Sequence, residues 1–412
     1  MGIAPLKEVL NMTLIEDIVL RKILDSRGNA TVEVEVYTLN GYGRAAAPAG
    51  KSTGKHEVKA YPAGGIDAGI KYFKERMDNL IGMDSTQQED VDAILHEIDG
   101  TENFSMLGGN VATAVSLAIA KAAANSLGLP FYQYLGGAFA RSIPKPVGNV
   151  LGGGKHAVGG TTIQEMLAVS LGESAKDNVF ANAEVHKIVG KKLRERFPNI
   201  SLGLGDEKAW IAPMDDIEAI ELVVESVKEA SESTGVNIKP ALDFAASSFF
   251  HNGKYHYRSR ALTPEEQIDF VEDIVKDYGV YIIEDPFDEE DFESFAELTR
   301  RIGHLAYIVG DDIFVTNVER IKIGISKGAA NTVLIKPNQI GTLTDTVKAI
   351  KFAKENGYAT MISHRSGETC DTTIVHIGVA FGVEFIKTGA IGGERIAKLN
   401  EMIRIEEEIK GE

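Results

Sequence analysis

Six short apolar runs in the later part of this 412-residue sequence each close on an ionisable side chain. Ala241-Leu242 leads into Asp243, Val280-Tyr281-Ile282-Ile283 into Glu284, and Tyr307-Ile308-Val309-Gly310 into Asp311. Thr332-Val333-Leu334-Ile335 leads into Lys336, Thr360-Met361-Ile362-Ser363 into His364-Arg365, and Phe385-Ile386 into Lys387. Asp243, Glu284 and Asp311 are an oxygen-only set that suits a hard divalent cation, and Mg²⁺ is the cellular default. A salt-bridge network with Lys336 and Lys387 is the ordinary alternative; the extra charge of Glu284-Asp285 and Asp311-Asp312 favours the metal. A lysine buried beside another ammonium and a metal ion gives up its proton more readily, so a base near neutral pH is expected here. His364-Arg365-Ser366 adds two cationic or donor groups and a hydroxyl, and a guanidinium fork matches a phosphate or carboxylate. Metal, lysine base and anion clamp together describe proton abstraction next to a carboxylate, with the resulting enolate held by the metal.

Weaker signals stand elsewhere. Gly152-Gly153-Gly154-Lys155-His156 is a glycine loop ending in histidine, followed by Gln164-Glu165. Gly205-Asp206-Glu207 offers a general acid, although the same pattern fits a helix-capping carboxylate equally well. Gly50-Lys51-Ser52-Thr53 imitates the end of a phosphate-binding P-loop, but the required earlier glycine is Ala45, so nucleotide hydrolysis is not expected. His251 and His256 flank Asn252-Gly253 with no further ligand nearby, which describes a surface hairpin rather than a zinc site.

Convergence of the six groups requires a particular scaffold. An apolar strand followed by a helix roughly every 25 residues, as in Pro264 to Lys276 and Thr342 to Glu355, is the pattern of a parallel β/α barrel, whose C-terminal strand ends share one mouth. The earlier part differs. Thr31-Val32-Glu33-Val34-Glu35-Val36-Tyr37 alternates as a half-wet strand, Asn40-Gly41 marks a tight turn, and a second strand runs through Ala45. Apolar residues between Asn110 and Leu127 form a helical stripe that Gly128 and Pro130 end. The chain therefore reads as α/β: a small α+β domain at 1–139 and a barrel at 140–412.

Composition narrows the function. A formal net charge of −17 argues against sequence-independent binding to nucleic acid or an anionic membrane. The single Cys370 fits a reducing compartment, and neither a membrane-length apolar run nor a signal peptide is visible. A cytoplasmic protein is expected.

The motifs Leu24-Asp25-Ser26-Arg27-Gly28-Asn29, Ser52-Thr53-Gly54, Lys155-His156-Ala157, Gly205-Asp206-Glu207, Leu242-Asp243 and Glu284-Asp285-Pro286-Phe287 occur in one order with Gly310-Asp311-Asp312, Asn338-Gln339-Ile340-Gly341-Thr342, Ser363-His364-Arg365-Ser366-Gly367-Glu368-Thr369 and Lys387-Thr388-Gly389. In this the chain resembles the enolase family, the phosphopyruvate hydratases of glycolysis, from about residue 15 to its end.

The resemblance implies a small lid domain followed by a barrel of ββαα(βα)₆ order. It implies reversible dehydration of 2-phosphoglycerate, a small phosphorylated substrate, to phosphoenolpyruvate. Lys336 would take the C2 proton and Glu207 would protonate the leaving hydroxyl. Two Mg²⁺ ions are implied per site, the first held by Asp243, Glu284 and Asp311, the second by Ser52 together with substrate phosphate. Arg365 and Ser366 would bind the phosphate, and His156, Glu165, His364 and Lys387 would line the pocket. A homodimer or higher homo-oligomer is implied, with Glu33 and Arg404 at positions that pair across its interface, whereas on the residues alone each reads as a solvated surface charge. Several loops depart from the family pattern: Ala49-Gly50-Lys51 before Ser52, Lys208-Ala209-Trp210 after Glu207, Gly152, Ser248, and a short run Ala390-Ile391-Gly392-Gly393-Glu394. These changes leave room for a second reading, a diverged scaffold or binding paralogue with weak or altered activity. A third reading, an acid-sugar dehydratase or racemase of the same superfamily, calls for a Lys-x-Lys pair where this chain has Gly205-Asp206-Glu207.

Overall fold

The structure is a computed structural model and describes residues 12–51, 53–157 and 159–412. The alternating N-terminal segment forms an antiparallel sheet of β1 (Ile15–Leu24), β2 (Ala30–Thr38) and β3 (Tyr42–Ala46), in that order. Its apolar face, Val32, Val34 and Val36 of β2, is fully buried. Helices α1 (Gly65–Lys74), α2 (Gln88–Asp99), α3 (Gly109–Ser126) and α4 (Phe131–Gly136) follow. Small residues nearly all round α3 let it lie buried between the sheet and the rest of the molecule.

The barrel begins with β4 (Lys145–Gly152) and β5 (Glu165–Ser170), paired antiparallel. Two long helices, α5 (Ala175–Arg196) and α6 (Asp216–Thr234), come next, with the short hairpin β6 (Gly203–Leu204) and β7 (Trp210–Ile211) between them. Strand β8 (Ile238–Asp243) pairs antiparallel to β5. A small surface sheet of β9 (Phe250–His251), β10 (Lys254–His256) and β11 (Ala261–Leu262) contains the hairpin expected at Asn252-Gly253, where both residues have positive φ.

A regular alternation then takes over: α7 (Pro264–Tyr278), β12 (Ile282–Glu284), α8 (Phe292–Ile302), β13 (Tyr307–Gly310), α9 (Val318–Lys327), β14 (Thr332–Ile335), the single turn α10 (Pro337–Ile340), α11 (Leu343–Glu355), β15 (Ala359–Ser363), α12 (Thr373–Ala380), β16 (Phe385–Lys387) and α13 (Gly393–Lys410). Local chemistry sets several of these boundaries. Thr263 caps α7 in a reciprocal capping box with Glu266, Pro264 takes the first turn, and Gly279 ends the helix in the left-handed region. Thr342 caps α11 through the amide of Asp345.

From β8 to β16 the strands pair in parallel, and β16 returns to β4, closing an eight-stranded barrel. Its interior is filled by Val147, Leu167, Val169, Ala241, Ile282, Val309, Leu334, Met361 and Phe385. These side chains form a floor, so polar groups at the strand ends gather above packed hydrocarbon rather than over a pore. The observed order is ββαα(βα)₆, the architecture that the resemblance implies.

Candidate active site

Three neighbouring strands carry the first group of acids. Glu165 of β5 lies opposite Asp243 of β8, and Asp243 lies opposite Glu284 of β12. Because β5 runs antiparallel, its first residue reaches the mouth, whereas β8 and β12 deliver their last. Lys387, ending β16, extends over all three: its Nζ stands 2.8 Å from Glu284, 2.9 Å from Asp243 and 3.2 Å from Glu165. Burial opposes the ammonium, but Asp243, Glu165 and Glu284 outweigh it and hold Lys387 well above the ordinary lysine range.

Lys336 follows β14 and bonds through Nζ to Asp311 at the end of β13. Gln339 donates to the other Asp311 oxygen at 2.8 Å. The lowered Lys336 pKa expected from burial, a neighbouring ammonium and a metal ion combines influences of which this arrangement shows the first two. Burial and Arg365 do push it down, yet Asp311 and Glu284 outweigh them and it lies above the usual value. Asp311 is correspondingly held below the ordinary carboxylate range by Lys336.

Glu207 belongs to the turn between β6 and β7 and is buried between two histidines. His364 Nε2 stands 3.4 Å from its carboxylate, and His156 Nδ1 stands 3.7 Å from it and 3.2 Å from Glu165. Asn149 of β4 also donates to Glu207, at 3.3 Å. Burial alone would raise the Glu207 carboxyl, but His364 and His156 outweigh it and hold it well below the usual range. Burial pushes His364 down to about 4, so a neutral ring faces the carboxylate at pH 7. His156 moves the other way, because Glu207 and Glu165 prevail over burial.

The segment after β15 completes the rim. Arg365 donates from Nη2 to both oxygens of Glu57 at 3.0 Å and from Nη1 to Asn338 at 2.9 Å. The Ser366 hydroxyl accepts from Arg27 at 3.3 Å. Gly50 and Lys51 overhang the same cleft, which is lined by His156, Glu165, Glu207, Asp243, Asp311, Lys336, His364, Arg365, Ser366 and Lys387. Ser52 lies outside the described residues. Every other residue expected at the site thus lines the cleft or, like Glu284, is bonded to a lining residue.

Several participants carry little or no functional signal in the sequence. Glu57 and Asn149 carried no local signal, since each comes from an unremarkable stretch that only folding brings to the mouth. Gln164, whose amide stands 3.4 Å from Asp243, was visible only as the neighbour of Glu165. Asp285 has positive φ and accepts the amides of Asp311 and Asp312, both at 2.9 Å, so its carboxylate braces the end of β13.

The donor set fits a divalent cation. Burial together with Asp243 and Asp311 pushes Glu284 well above the normal carboxyl value, and burial together with Asp311 pushes Asp312 up to about 8. So many buried carboxylates cannot all ionise without added positive charge. Oxygens of Asp285, Asp311 and Asp312 lie within 4.8 Å of one another, as do ligand atoms of His156, Glu165 and Glu207; neither group is the Asp243, Glu284 and Asp311 set expected from the sequence. Asp243, Glu284 and Asp311 occupy three consecutive strands, with Lys387 between the first two and Lys336 against the third.

Comparison with known proteins agrees with this architecture. Residues 15–135 match the family model for the enolase N-terminal domain, and residues 140–412 match that for the enolase C-terminal TIM barrel domain. The enolase of Picrophilus torridus is 51% identical over 396 residues, covering 96% of this chain and 99% of that protein. That of Methanothermobacter thermautotrophicus is 52% identical over 404 residues, 96% of this chain and 97% of its own. The Thermoplasma acidophilum enolase is 51% identical over 394 residues, covering 95% and 98%. With both halves matched and half the residues identical along nearly the whole length, the chain belongs to the enolase family.

Proposed function

We infer that the protein is a lyase with phosphopyruvate hydratase activity, interconverting 2-phosphoglycerate with phosphoenolpyruvate and water in glycolysis and gluconeogenesis. The observation that carries this reading is the placing of Lys336 and Glu207 on one cleft, each beside groups that can change its protonation. In the forward direction the Lys336 amine takes the C2 proton. The C2 electron pair becomes the C2–C3 double bond as the C3–O bond breaks, and Glu207 donates a proton to the departing hydroxyl, releasing water. Glu207 must be protonated for this step, and the negative charge of bound substrate beside it acts in that direction. Arg365 and Ser366 bind the phosphate, while His156, Glu165, His364 and Lys387 shape and charge the pocket.

The divalent ion is Mg²⁺, two per site: Asp243, Glu284 and Asp311 would hold the first, and Ser52 with the substrate phosphate the second. When bound, the metal supplies positive charge against these carboxylates and against the charge that develops on the substrate carboxylate. With Asp311 and Glu284 both so engaged, Lys336 would be left with burial, Arg365 and Lys387, all of which favour its neutral amine. The domains divide at 139–140, and the protein works in the cytoplasm as a homodimer or higher homo-oligomer. A lone cysteine supports the first of these last two points, and family resemblance supports the second. Among the described residues no single helix is long and apolar enough to cross a membrane.

The test is direct. Purified protein with 2-phosphoglycerate and Mg²⁺ should generate phosphoenolpyruvate absorbance that a chelator abolishes. Absence of chelator-sensitive product would leave the scaffold or binding paralogue as the better reading.

A further inference from the structure

Arg395 has the largest of the fully buried side chains, and although its charge helps to hold the Glu207 carboxyl down, neither proton transfer described above passes through it. It sits in the first turn of α13, where a cation opposes the helix dipole as well as losing its hydration. Its Nη1 donates to the carbonyl oxygen of Arg365 at 2.8 Å and its Nη2 to that of Ser366 at 2.9 Å. Nε makes no hydrogen bond, and the nearest carboxylate oxygen, on Glu394, is 3.6 Å away. The guanidinium is thus spent on two successive carbonyls rather than on a close ion pair.

The chain around it is shaped to the side chain. Gly389 and Gly392 both have positive φ, and a Cβ on them would stand 3.2 Å and 3.4 Å from Arg395 Cγ. One turn further along α13, buried Lys398 donates to the Thr369 carbonyl at 2.9 Å and meets Glu368 at 2.6 Å. Glu368 in turn accepts the Arg365 amide at 3.0 Å. The carbonyls of Arg365, Ser366 and Thr369 are therefore held by α13, while the Arg365 and Ser366 side chains line the cleft.

We propose that Arg395 is a positioning residue for anion binding: it fixes the Arg365-Ser366 segment in its phosphate-binding orientation and adds a buried positive charge behind it. This rests on the reading that Arg365 and Ser366 take the substrate phosphate. Two carbonyl oxygens drawn back onto one planar fork leave that segment little freedom to rotate. The charge acts at short range through a poorly hydrated interior, where it favours a multiply charged anion.

Arg395→Met should raise KM for 2-phosphoglycerate and the inhibition constant of inorganic phosphate together, by about tenfold or more, the scale of one lost charge-assisted hydrogen bond. Turnover at saturation should shift as well, because the Arg395 charge also acts on Glu207, so the two phosphate-dependent constants are the deciding readout. Arg395→Lys keeps the charge but not the fork, and should recover part of both losses. A folded Arg395→Met variant with unchanged KM and phosphate inhibition overturns the proposal. If the methionine variant does not fold, the lysine variant decides: a parallel rise in both constants supports the positioning role, and wild-type values refute it. Phosphate binding by calorimetry on wild type and variants is independent of turnover. Absence of turnover by wild type would overturn the functional reading, whereas equal phosphate affinity in wild type and variants would overturn the role of Arg395.

Discussion

Lys51 reaches across the cleft to Asp206, its ammonium 2.9 Å from the carboxylate of the residue that immediately precedes Glu207. The pair joins the loop beside Ser52 to the turn that carries Glu207, so it ties loop position to the proposed acid. Both side chains are partly exposed, which limits the strength of the link and makes it sensitive to salt. Lys51→Ala should therefore raise KM by at most about fivefold at low ionic strength. That difference should vanish near 1 M salt, where the screening length is about 3 Å. Asp206→Asn should match it, and the double variant should add nothing further. A KM that stays at the wild-type value in low salt would show the pair to be a bystander.

Glu207 and Lys336 line one cleft with different neighbours, one between His156 and His364 and the other on Asp311. Their assigned roles separate in an isotope experiment. Glu207→Gln should lower dehydration by about 10²–10⁴ while keeping measurable exchange of the C2 proton with solvent. Lys336→Ala should lose both. Equal loss of exchange in the two variants would contradict the assignment of acid and base.

Gly190 of α5 underlies the turn that holds Glu207. A Cβ there would come within 2.5 Å of the Trp210 ring. Trp210 donates to the His186 carbonyl at 2.9 Å and stacks on the His186 ring, whose Nε2 in turn donates to the Lys208 carbonyl at 2.8 Å. Lys208 itself has positive φ, so the turn has little slack. Gly190→Ala should destabilise the fold by about 1–3 kcal/mol through overpacking. It should also slow dehydration more than C2 exchange, because the disturbance travels toward Glu207 and not toward Lys336. Thermal melting and the exchange-to-dehydration ratio check the two parts separately.

Asp371 links the N-terminal region to the barrel. It pairs with Lys121 of α3 at 2.9 Å and accepts the amide of Thr373 at 2.7 Å. Burial opposes its charge, but Lys121 and Thr373 outweigh it and hold the carboxyl at about 2. An unfolded aspartate titrates near 3.9, so the folded pKa is the lower one. The stabilisation is then fully present above about pH 4 and is lost as pH falls through about 2, with a magnitude of about 3 kcal/mol. Asp371→Asn should be less stable than wild type at neutral pH, and the gap should close on acidification over that window. A gap independent of pH would place the effect elsewhere.

Much of the scaffold was legible because its causes are local. Alternation across Thr31 to Tyr37 anticipates β2, and Thr263, Pro264 and Gly279 mark α7 with capping chemistry that operates within a few residues. The six ionisable strand ends were visible for the same reason: each follows its own apolar run. Glu165 was not visible by that rule, since it begins a strand instead of ending one and reaches the mouth only because β5 runs backwards.

The sequence by itself determined which side chains were available and in what order the strands present them. Tertiary structure alone decided which of those groups touch. Glu57 meets Arg365 and Arg395 meets two carbonyls only after the barrel closes and the N-terminal region docks on it. It also set Lys336 against Asp311, a pairing through space that no stretch of sequence displays. Propensity and patterning act over neighbouring residues. Electrostatic energy depends on distances through space and on exclusion of water, and neither quantity exists until remote segments have packed together.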